Sequence, residues 1–237
     1  MMIKVITLLS IIDDTYDAYG TIDELELFTK AVERWDISSL DELPDYMKPI
    51  YRSFLTIYEE IEKEMRKEGR IYTLDYYKIE FKKSVQAFMT EARWLNENHI
   101  PTTEEYMRIS KKSGAYPLLI LTSYIGMGDI ATKEIFNWVS NEPRIVNAAA
   151  TLCRLMDEIV SSERSCYSRM QNRMTIVWKD INEECLRPTE VPMPFMTRVL
   201  NLSRFMDVIY KNKDNYTDSD GLMKTCIKEV LVDPVPI

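Results

Sequence analysis

The chain has 237 residues, of which 46% are apolar and 11% aromatic, with only six glycines and a net charge of −8 at pH 7. This length and composition predict one domain with a substantial core, and the lack of alternating β-branched runs predicts an all-α fold. The absence of a basic stripe argues against a nucleic-acid partner, and the four scattered cysteines indicate reduced intracellular thiols rather than a disulfide framework.

The first predicted helix is apolar on nearly every side from Ile3 to Ile12 and leads directly into Asp13, Asp14 and Asp17. We therefore expect this helix to be buried on most sides. It is too short for a membrane span and has no small-residue cleavage site, so neither a membrane anchor nor a signal peptide is expected. A chain that begins within a core helix is expected to be truncated.

Asp13, Asp14 and Asp17 are the most informative residues of the sequence. The C-terminal end of a helix carries partial negative charge, so a positive partner is expected beside these carboxylates. Asp13 and Asp17 are four residues apart and share a helix face, an arrangement that can bind hard divalent cations. Because the chain has one histidine, oxygen-bound Mg²⁺ is favoured over zinc. The alternative is a solvated acidic turn before Gly20.

Helical periodicity and loop signals alternate along the rest of the chain. Thr102, followed by acidic residues, is typical of a helix start. Ser113, Gly114 and Pro117 interrupt a helix, and the sequence fits either a break that frees backbone carbonyls or a plain helix boundary. Helices are predicted at about residues 22–35, 45–67, 73–96, 130–139, 143–162, 172–184, 192–210 and 220–232.

A second polar group lies in the helix predicted at 143–162. Asp157, Ser161 and Ser165 step by four residues along one helix face, and Arg154 lies on the same side. A carboxylate, hydroxyls and a cation in one row suit a metal ion and a phosphate oxygen. An exposed polar face is the competing interpretation, and it is the commoner origin of such a pattern.

Together the two groups and their neighbouring strings resemble the class I terpene synthases of plants, specifically the C-terminal catalytic domain of the sesquiterpene branch. The resemblance assigns residues 1–237 to one partial metal-binding catalytic domain. It implies the all-α class I terpenoid synthase helical bundle, here incomplete. The strings that carry it are Ile12–Thr21, Arg34–Asp36, Leu43–Lys48, Glu91–Trp94, Trp178–Glu183 and Leu186–Pro188.

The resemblance implies roles for both polar groups. The aspartate-rich motif is expected to bind two Mg²⁺ ions, and the motif formed by Asp157, Ser161 and Ser165 a third, with Mn²⁺ as an alternative ion. In this family the three ions grip the diphosphate of a prenyl substrate and draw it away, leaving an allylic carbocation. Metal ions stabilise the charge that develops on the leaving oxygens, so no nucleophilic side chain is needed.

The carbocation must be shielded from water in an apolar, aromatic pocket. By resemblance, Phe88, Tyr116 and Tyr210 are candidates for the wall of that pocket, and Arg154 is a candidate substrate ligand. Asp214 and Tyr216 belong to a segment that looks like the active-site lid of the family and are candidate catalytic residues. Ordinary core packing of the aromatic residues and a plain surface loop are the alternatives.

The chain departs from the family pattern at the second motif. Ser165 stands where the family has Glu, and Glu158 replaces the usual second Asp. The segment between Asp157 and Trp178 is also shorter than in the family by about twenty residues, roughly one helix and its loop. By the same resemblance, the N-terminal helical domain and the first helices of the catalytic domain are expected to be missing from this sequence.

The sequence therefore predicts a sesquiterpene synthase that ionises and cyclises farnesyl diphosphate with Mg²⁺. We expect a cytoplasmic monomer on which the missing N-terminal domain would pack. The alternative is a non-catalytic helical remnant of a truncated gene that at most binds metal and diphosphate. A chain-elongating prenyltransferase shares the ionisation chemistry but fits the plant strings poorly.

Overall fold

The computed structural model describes residues 1–161, 167–210, 213–215 and 221–231, and every regular element in these ranges is helical. The all-α prediction is thus confirmed, and none of the described helices is long and apolar enough to cross a membrane. The helices are α1 (Met2–Asp14), α2 (Ile22–Arg34), α3 (Met47–Lys67), α4 (Thr73–Asn96), α5 (Thr103–Ser113), α6 (Tyr116–Ile125), α7 (Lys133–Ser140), α8 (Arg144–Ser161), α9 (Tyr167–Glu184), α10 (Met193–Tyr210) and α11 (Leu222–Leu231). A π-helical turn spans Thr15–Tyr19, and short 3-10 helices span Ile37–Glu42 and Gly128–Ile130.

Most predicted helix boundaries agree with the structure to within three residues. The start of α9 was predicted wrongly, because it begins at Tyr167 rather than at residue 172. Polar residues dominate its first turn in the sequence, so periodicity gave no signal there. The described helices form two compact units, Met1–Pro143 and Arg144–Ile237. The assignment of residues 1–237 to one catalytic domain stays a prediction.

In the first unit, the long helix α4 packs against α2, α5, α6, α7 and the π-helical turn. Its buried face meets an aromatic cluster from α2 and α3. The Trp35 ring lies 4.4 Å from Phe54 and 5.8 Å from Phe81, centroid to centroid, in edge-to-face geometry. Each such pair contributes about 0.5–1.5 kcal/mol beyond its burial. The cluster therefore fixes α4 as the scaffold on which the π-helical turn rests.

Helix α1 buries one side only. Val5, Leu8, Leu9 and Ile12 are buried, with α3 and α6 packed against the helix, whereas Ile3 is 79% exposed and other apolar side chains are half-buried or exposed. The expectation of burial on most sides was therefore wrong. Hydropathy reports what side chains prefer, but burial also needs partners on each side.

The interruption after Ser113 is a full break between α5 and α6. Ala115 adopts the left-handed conformation with φ of 53°, and Pro117 lies in the first turn of α6, where its missing N–H costs little. The helix start at Thr102 is confirmed, since its N–H and its hydroxyl donate to Glu105 at 2.9 and 2.8 Å in a capping box.

In the second unit, α8 packs against α9 and α10, and α10 contacts α11. Arg144 at the start of α8 forms ion pairs with Asp180 at 2.6 Å, Glu183 at 3.0 Å and Glu184 at 3.5 Å on α9. These contacts are half exposed, so each contributes at most about 1 kcal/mol. The ion pairs therefore favour one alignment of α8 against α9 and add little to the free energy of unfolding.

Candidate functional site

The aspartate-rich segment separates its residue types by exposure. Thr15 and Tyr16 are buried, Asp14 and Asp17 are exposed, and Asp13 is half-buried. The two residues between the aspartates thus face the core, while the carboxylates face outward. A solvated acidic turn without function would not require buried residues between the aspartates.

The segment continues the axis of α1 as a π-helical turn rather than ending it. Thr15 Oγ1 donates to the carbonyl of Ile11 at 2.6 Å, and the N–H of Gly20 closes the turn on the carbonyl of Thr15 at 2.8 Å. π-helical turns are rare and are frequently found at functional sites. Asp17 therefore lies nearer to the negative end of the helix than Asp13 does.

Tyr16 packs the π-helical turn against neighbouring helices. Its hydroxyl lies 2.7 Å from Thr29 Oγ1, and its ring packs against Phe28 and Phe88 at centroid distances of 6.2 and 5.7 Å. Burial raises the pKa of the Tyr16 hydroxyl, an effect that the bond to Thr29 partly offsets. The hydroxyl therefore stays protonated across the physiological range and the contact remains a neutral hydrogen bond.

Gly20 allows the chain to leave the π-helical turn and enter α2. A Cβ atom at this position would lie 2.4 Å from Cδ2 and 2.8 Å from Cγ of the buried Leu25. We therefore expect Gly20→Ala to lower the free energy of unfolding by about 1–3 kcal/mol through overpacking. Denaturant unfolding of the variant measures this loss.

Gly126→Ala is the matched control for that substitution. Its Cβ would lie 3.5 Å from the nearest atom, an ordinary contact, and its φ of −77° suits any residue. We expect it to be neutral or slightly stabilising. Equal destabilisation by both variants would show that Leu25 does not restrict position 20.

A second polar group is built on α8 in the other unit. Arg154 Nη1 lies 2.9 Å from Asp157 Oδ2, and Nη2 lies 2.7 Å from Glu158 Oε1. Burial raises the pKa of the Asp157 carboxyl; the Arg154 charge opposes that rise, while Glu158 and Asp214 add to it. The guanidinium thus offsets part of the negative charge of this pair and favours the ionised form of Asp157, which burial and the neighbouring carboxylates disfavour.

Tyr210 and Asp214 belong to the same group. Tyr210 ends α10 and donates a hydrogen bond to Asp157, and Asp214 is close enough to influence its charge. Burial, together with the Asp157 charge, raises the pKa of the Tyr210 hydroxyl. Four residues that the sequence singled out separately, Arg154, Asp157, Tyr210 and Asp214, are therefore neighbours.

Asn215 holds Asp214 in this position, a role that sequence analysis missed. Asn215 is 3% exposed, and its amide donates to the carbonyls of Ile209 at 2.9 Å and of Val208 and Lys213 at 3.3 Å each. Its backbone N–H also donates to the carbonyl of Ile209 at 2.9 Å. The Asn215 side chain therefore caps the C-terminal end of α10. An Asn shortly after a long apolar helix was the available signal.

Asn215→Ala is expected to destabilise the segment around Asp214. Loss of the buried amide leaves carbonyls at the end of α10 unpaired, which costs about 1–3 kcal/mol. Hydrogen exchange at the end of α10 measures the loss locally. Asn201→Ala, at an exposed position of α10, is the control and should be neutral or stabilising. Unchanged exchange in Asn215→Ala would contradict the capping role.

The remaining predicted residues are placed as follows. Phe88 lies in the core against Tyr16, and Tyr116 is buried at the first position of α6. Ser161 is the last residue of α8, so the helix runs unbroken from Asp157 to this point. Ser165 and Tyr216 lie outside the described residues. The role of the aromatic residues as a pocket wall, and the opening of both polar groups onto one cavity, stay predictions.

The donor types in the aspartate-rich segment fit a hard divalent cation. Within the described ranges, no three His, Cys, Asp or Glu side chains gather around a point that could hold a metal ion. Mg²⁺ is usually held by one or two carboxylates together with phosphate oxygens and water. Asp14 and Asp17 are exposed and Asp13 is half-buried, so the three side chains lie at or near the protein surface.

Comparison with known proteins gives a consistent assignment. Residues 1–183 match the model of the terpene synthase family, metal binding domain. The chain is 50% identical to probable terpene synthase 2 of Ricinus communis, over 98% of this chain and 46% of that protein. It is 49% identical to (-)-germacrene D synthase of Vitis vinifera, over 100% of this chain and 47% of that protein. The chain therefore spans about half the length of the curated relatives it matches.

The alignment with the Vitis vinifera protein extends over 260 residues, whereas this chain has 237. The relative therefore has residues that this chain lacks. The difference fits the shortening predicted from the sequence, but its place after Asp157 stays a prediction.

Solved structures show the same architecture. Isoprene synthase from grey poplar (Populus x canescens), in complex with three Mg²⁺ ions and dimethylallyl-S-thiolodiphosphate, superimposes with a TM-score of 0.90 and 29% identity over 98% of this chain and 49% of that one. Limonene synthase with 2-fluorolinalyl diphosphate gives a TM-score of 0.90 and 25% identity over 98% and 47%. The all-α class I terpenoid synthase fold is thereby confirmed, and this chain belongs to the terpene synthase family.

Proposed function

We propose that this chain is the catalytic half of a plant sesquiterpene synthase that ionises farnesyl diphosphate with Mg²⁺ and releases diphosphate and a cyclic product. The observation that carries the proposal is the π-helical turn, in which Thr15 and Tyr16 are buried, Asp14 and Asp17 are exposed and Asp13 is half-buried. Relatives named germacrene D synthase and valencene synthase, 49% and 45% identical, support the sesquiterpene assignment. The Mg²⁺ ions in the isoprene synthase complex support the choice of metal.

Each group of this chain would have a distinct part in the reaction. Asp13, Asp14 and Asp17 would hold two ions, and Asp157 with Ser161 a third. Mg²⁺, when bound, supplies positive charge that stabilises the leaving diphosphate oxygens. Arg154 would bind the diphosphate by bidentate hydrogen bonds, the geometry that a guanidinium favours.

The residues around these ligands would control water and charge. The Asp214 charge acts on the Asp157 carboxyl, and Asp214 would close over the site together with Tyr216. Phe88, Tyr116 and Tyr210 would present ring faces to the carbocation and keep water from quenching it. The protein would act as a cytoplasmic monomer with an N-terminal domain packed on this half.

One observation favours a second candidate, a non-catalytic remnant that binds only metal and diphosphate. Arg154 already bonds Asp157, the carboxylate that a third ion would need, as well as Glu158. Ser165 also replaces the carboxylate expected there by resemblance. In this case the aspartate-rich turn would bind ions, but the diphosphate would not be pulled away.

Incubation of the full chain with geranyl, farnesyl or geranylgeranyl diphosphate and Mg²⁺ tests the proposal. We expect diphosphate release and a volatile sesquiterpene from farnesyl diphosphate. Product from geranyl or geranylgeranyl diphosphate alone would correct the substrate length. Binding of Mg²⁺ and inorganic diphosphate without release from any substrate would establish the remnant instead.

A further inference from the structure

We propose that Tyr16 is a positioning residue for the metal site, fixing the width of the turn that separates Asp13 from Asp17. This inference rests on the proposed function, because it assumes that these two carboxylates hold ions. Tyr16 touches no ion in this proposal. It acts through the backbone between the ligands.

The hydroxyl of Tyr16 belongs to a small hydrogen-bond network with Thr29 and the carbonyl of Leu25. The Tyr16 hydroxyl lies 2.7 Å from Thr29 Oγ1, where either oxygen can donate, and 3.5 Å from the Leu25 carbonyl oxygen. Thr29 Oγ1 lies 2.8 Å from the same carbonyl oxygen. This hydrogen-bond network ties the π-helical turn to Leu25 and Thr29 of α2.

The ring of Tyr16 fixes the turn from the other side. It is 3% exposed and packs between Phe28 on α2 and Phe88 on α4. Ring and hydroxyl therefore attach the same residue to two helices. A turn held at this point cannot rotate without breaking either the aromatic contacts or the hydrogen bond.

The register of the turn decides where Asp17 points. In the structure the N–H of Gly20 bonds to the carbonyl of Thr15, five residues back, instead of four as in an α-helix. If Tyr16 is released, the turn can tighten to α-helical hydrogen bonding, and Asp17 rotates relative to Asp13. The orientation of Asp17 relative to Asp13 would matter for metal binding, because Mg²⁺ and Mn²⁺ prefer near-octahedral coordination.

The test measures binding of Mn²⁺ alone to the full chain by electron paramagnetic resonance of the free ion. We expect Tyr16→Phe and Thr29→Val each to weaken binding about threefold to tenfold, the range that one buried hydrogen bond contributes. Thr29→Ser keeps the hydroxyl and should retain the affinity of the unmodified chain. Thermal unfolding of each variant is measured in parallel.

Tyr51→Phe is the matched control. Tyr51 is also a buried tyrosine that contacts Phe28, and its hydroxyl donates to the carbonyls of Ala31 and Asp36 at 2.8 and 3.0 Å. It does not hold the π-helical turn, so the variant should lose stability and keep its Mn²⁺ affinity. Equal weakening in Tyr51→Phe, or unchanged affinity in Tyr16→Phe, would overturn the inference.

Asp13→Asn separates failure of the inference from failure of the proposed function. If this variant binds Mn²⁺ as tightly as the unmodified chain, the aspartate-rich turn is not the metal site and both proposals fall. If Asp13→Asn loses binding while Tyr16→Phe does not, only the role of Tyr16 is wrong.

Discussion

Asp13→Asn is expected to reduce diphosphate release from farnesyl diphosphate at least a hundredfold. The substitution keeps the shape of the side chain and removes the charge that would hold a catalytic ion. Loss of one group that stabilises developing charge typically costs about 10²–10³ in rate. Steady-state release of diphosphate at saturating Mg²⁺ measures the effect.

The same variant should keep or slightly gain stability. Asp13 lies in the last turn of α1, where the helix dipole disfavours an anion, and it is only half-buried. Loss of activity would therefore reflect loss of a ligand rather than loss of the fold. Denaturant unfolding in the absence of metal distinguishes the two.

Asp23→Asn is the control for the change in net charge. Asp23 is exposed in the first turn of α2, ten residues further along the same unit. There the helix dipole favours an anion, so the variant should lose about 0.3–1 kcal/mol of stability and keep its activity. Normal diphosphate release by Asp13→Asn would show that Asp13 holds no catalytic ion.

Sequence patterns sufficed for the helices and for the type of site, because both depend on local properties. The capping box at Thr102 and the break before Pro117 are set by residues within a few positions. Apolar periodicity located α4 from Thr73 to Asn96 without error. The aspartate-rich segment was recognisable because three carboxylates rarely end an apolar helix without a cation.

The π-helical turn was not predictable from those patterns. Within this turn Tyr16 meets Phe88, which is distant in sequence and brought near by α4, and local patterns carry no information about such a contact. The exposed side of α1 was missed for the same reason, since the periodicity of a helix does not show which other helices pack against it.

Arg154→Gln should strengthen binding of Mn²⁺ alone about tenfold and weaken binding of inorganic diphosphate in the presence of Mn²⁺. Arg154 bonds Asp157 at 2.9 Å and Glu158 at 2.7 Å, so it occupies the oxygens that an ion would use. A nearby charge pair is worth up to about 4 kcal/mol, which partial exposure reduces. The two effects have opposite signs because the same guanidinium would neutralise the carboxylates at rest and bind the diphosphate once ions have replaced it.

Two further variants make this test specific. Arg144→Gln removes another arginine of α8, one that pairs with Asp180, Glu183 and Glu184. If Arg144→Gln raises the Mn²⁺ affinity as much as Arg154→Gln does, the gain comes from the release of surface carboxylates in general. Arg154→Gln combined with Asp157→Asn should lose the gain, because Asp157 would be the ligand that the substitution releases. Stronger Mn²⁺ binding without weaker diphosphate binding would mean that Arg154 only blocks the second metal site, and the non-catalytic remnant would then be the better description of this chain.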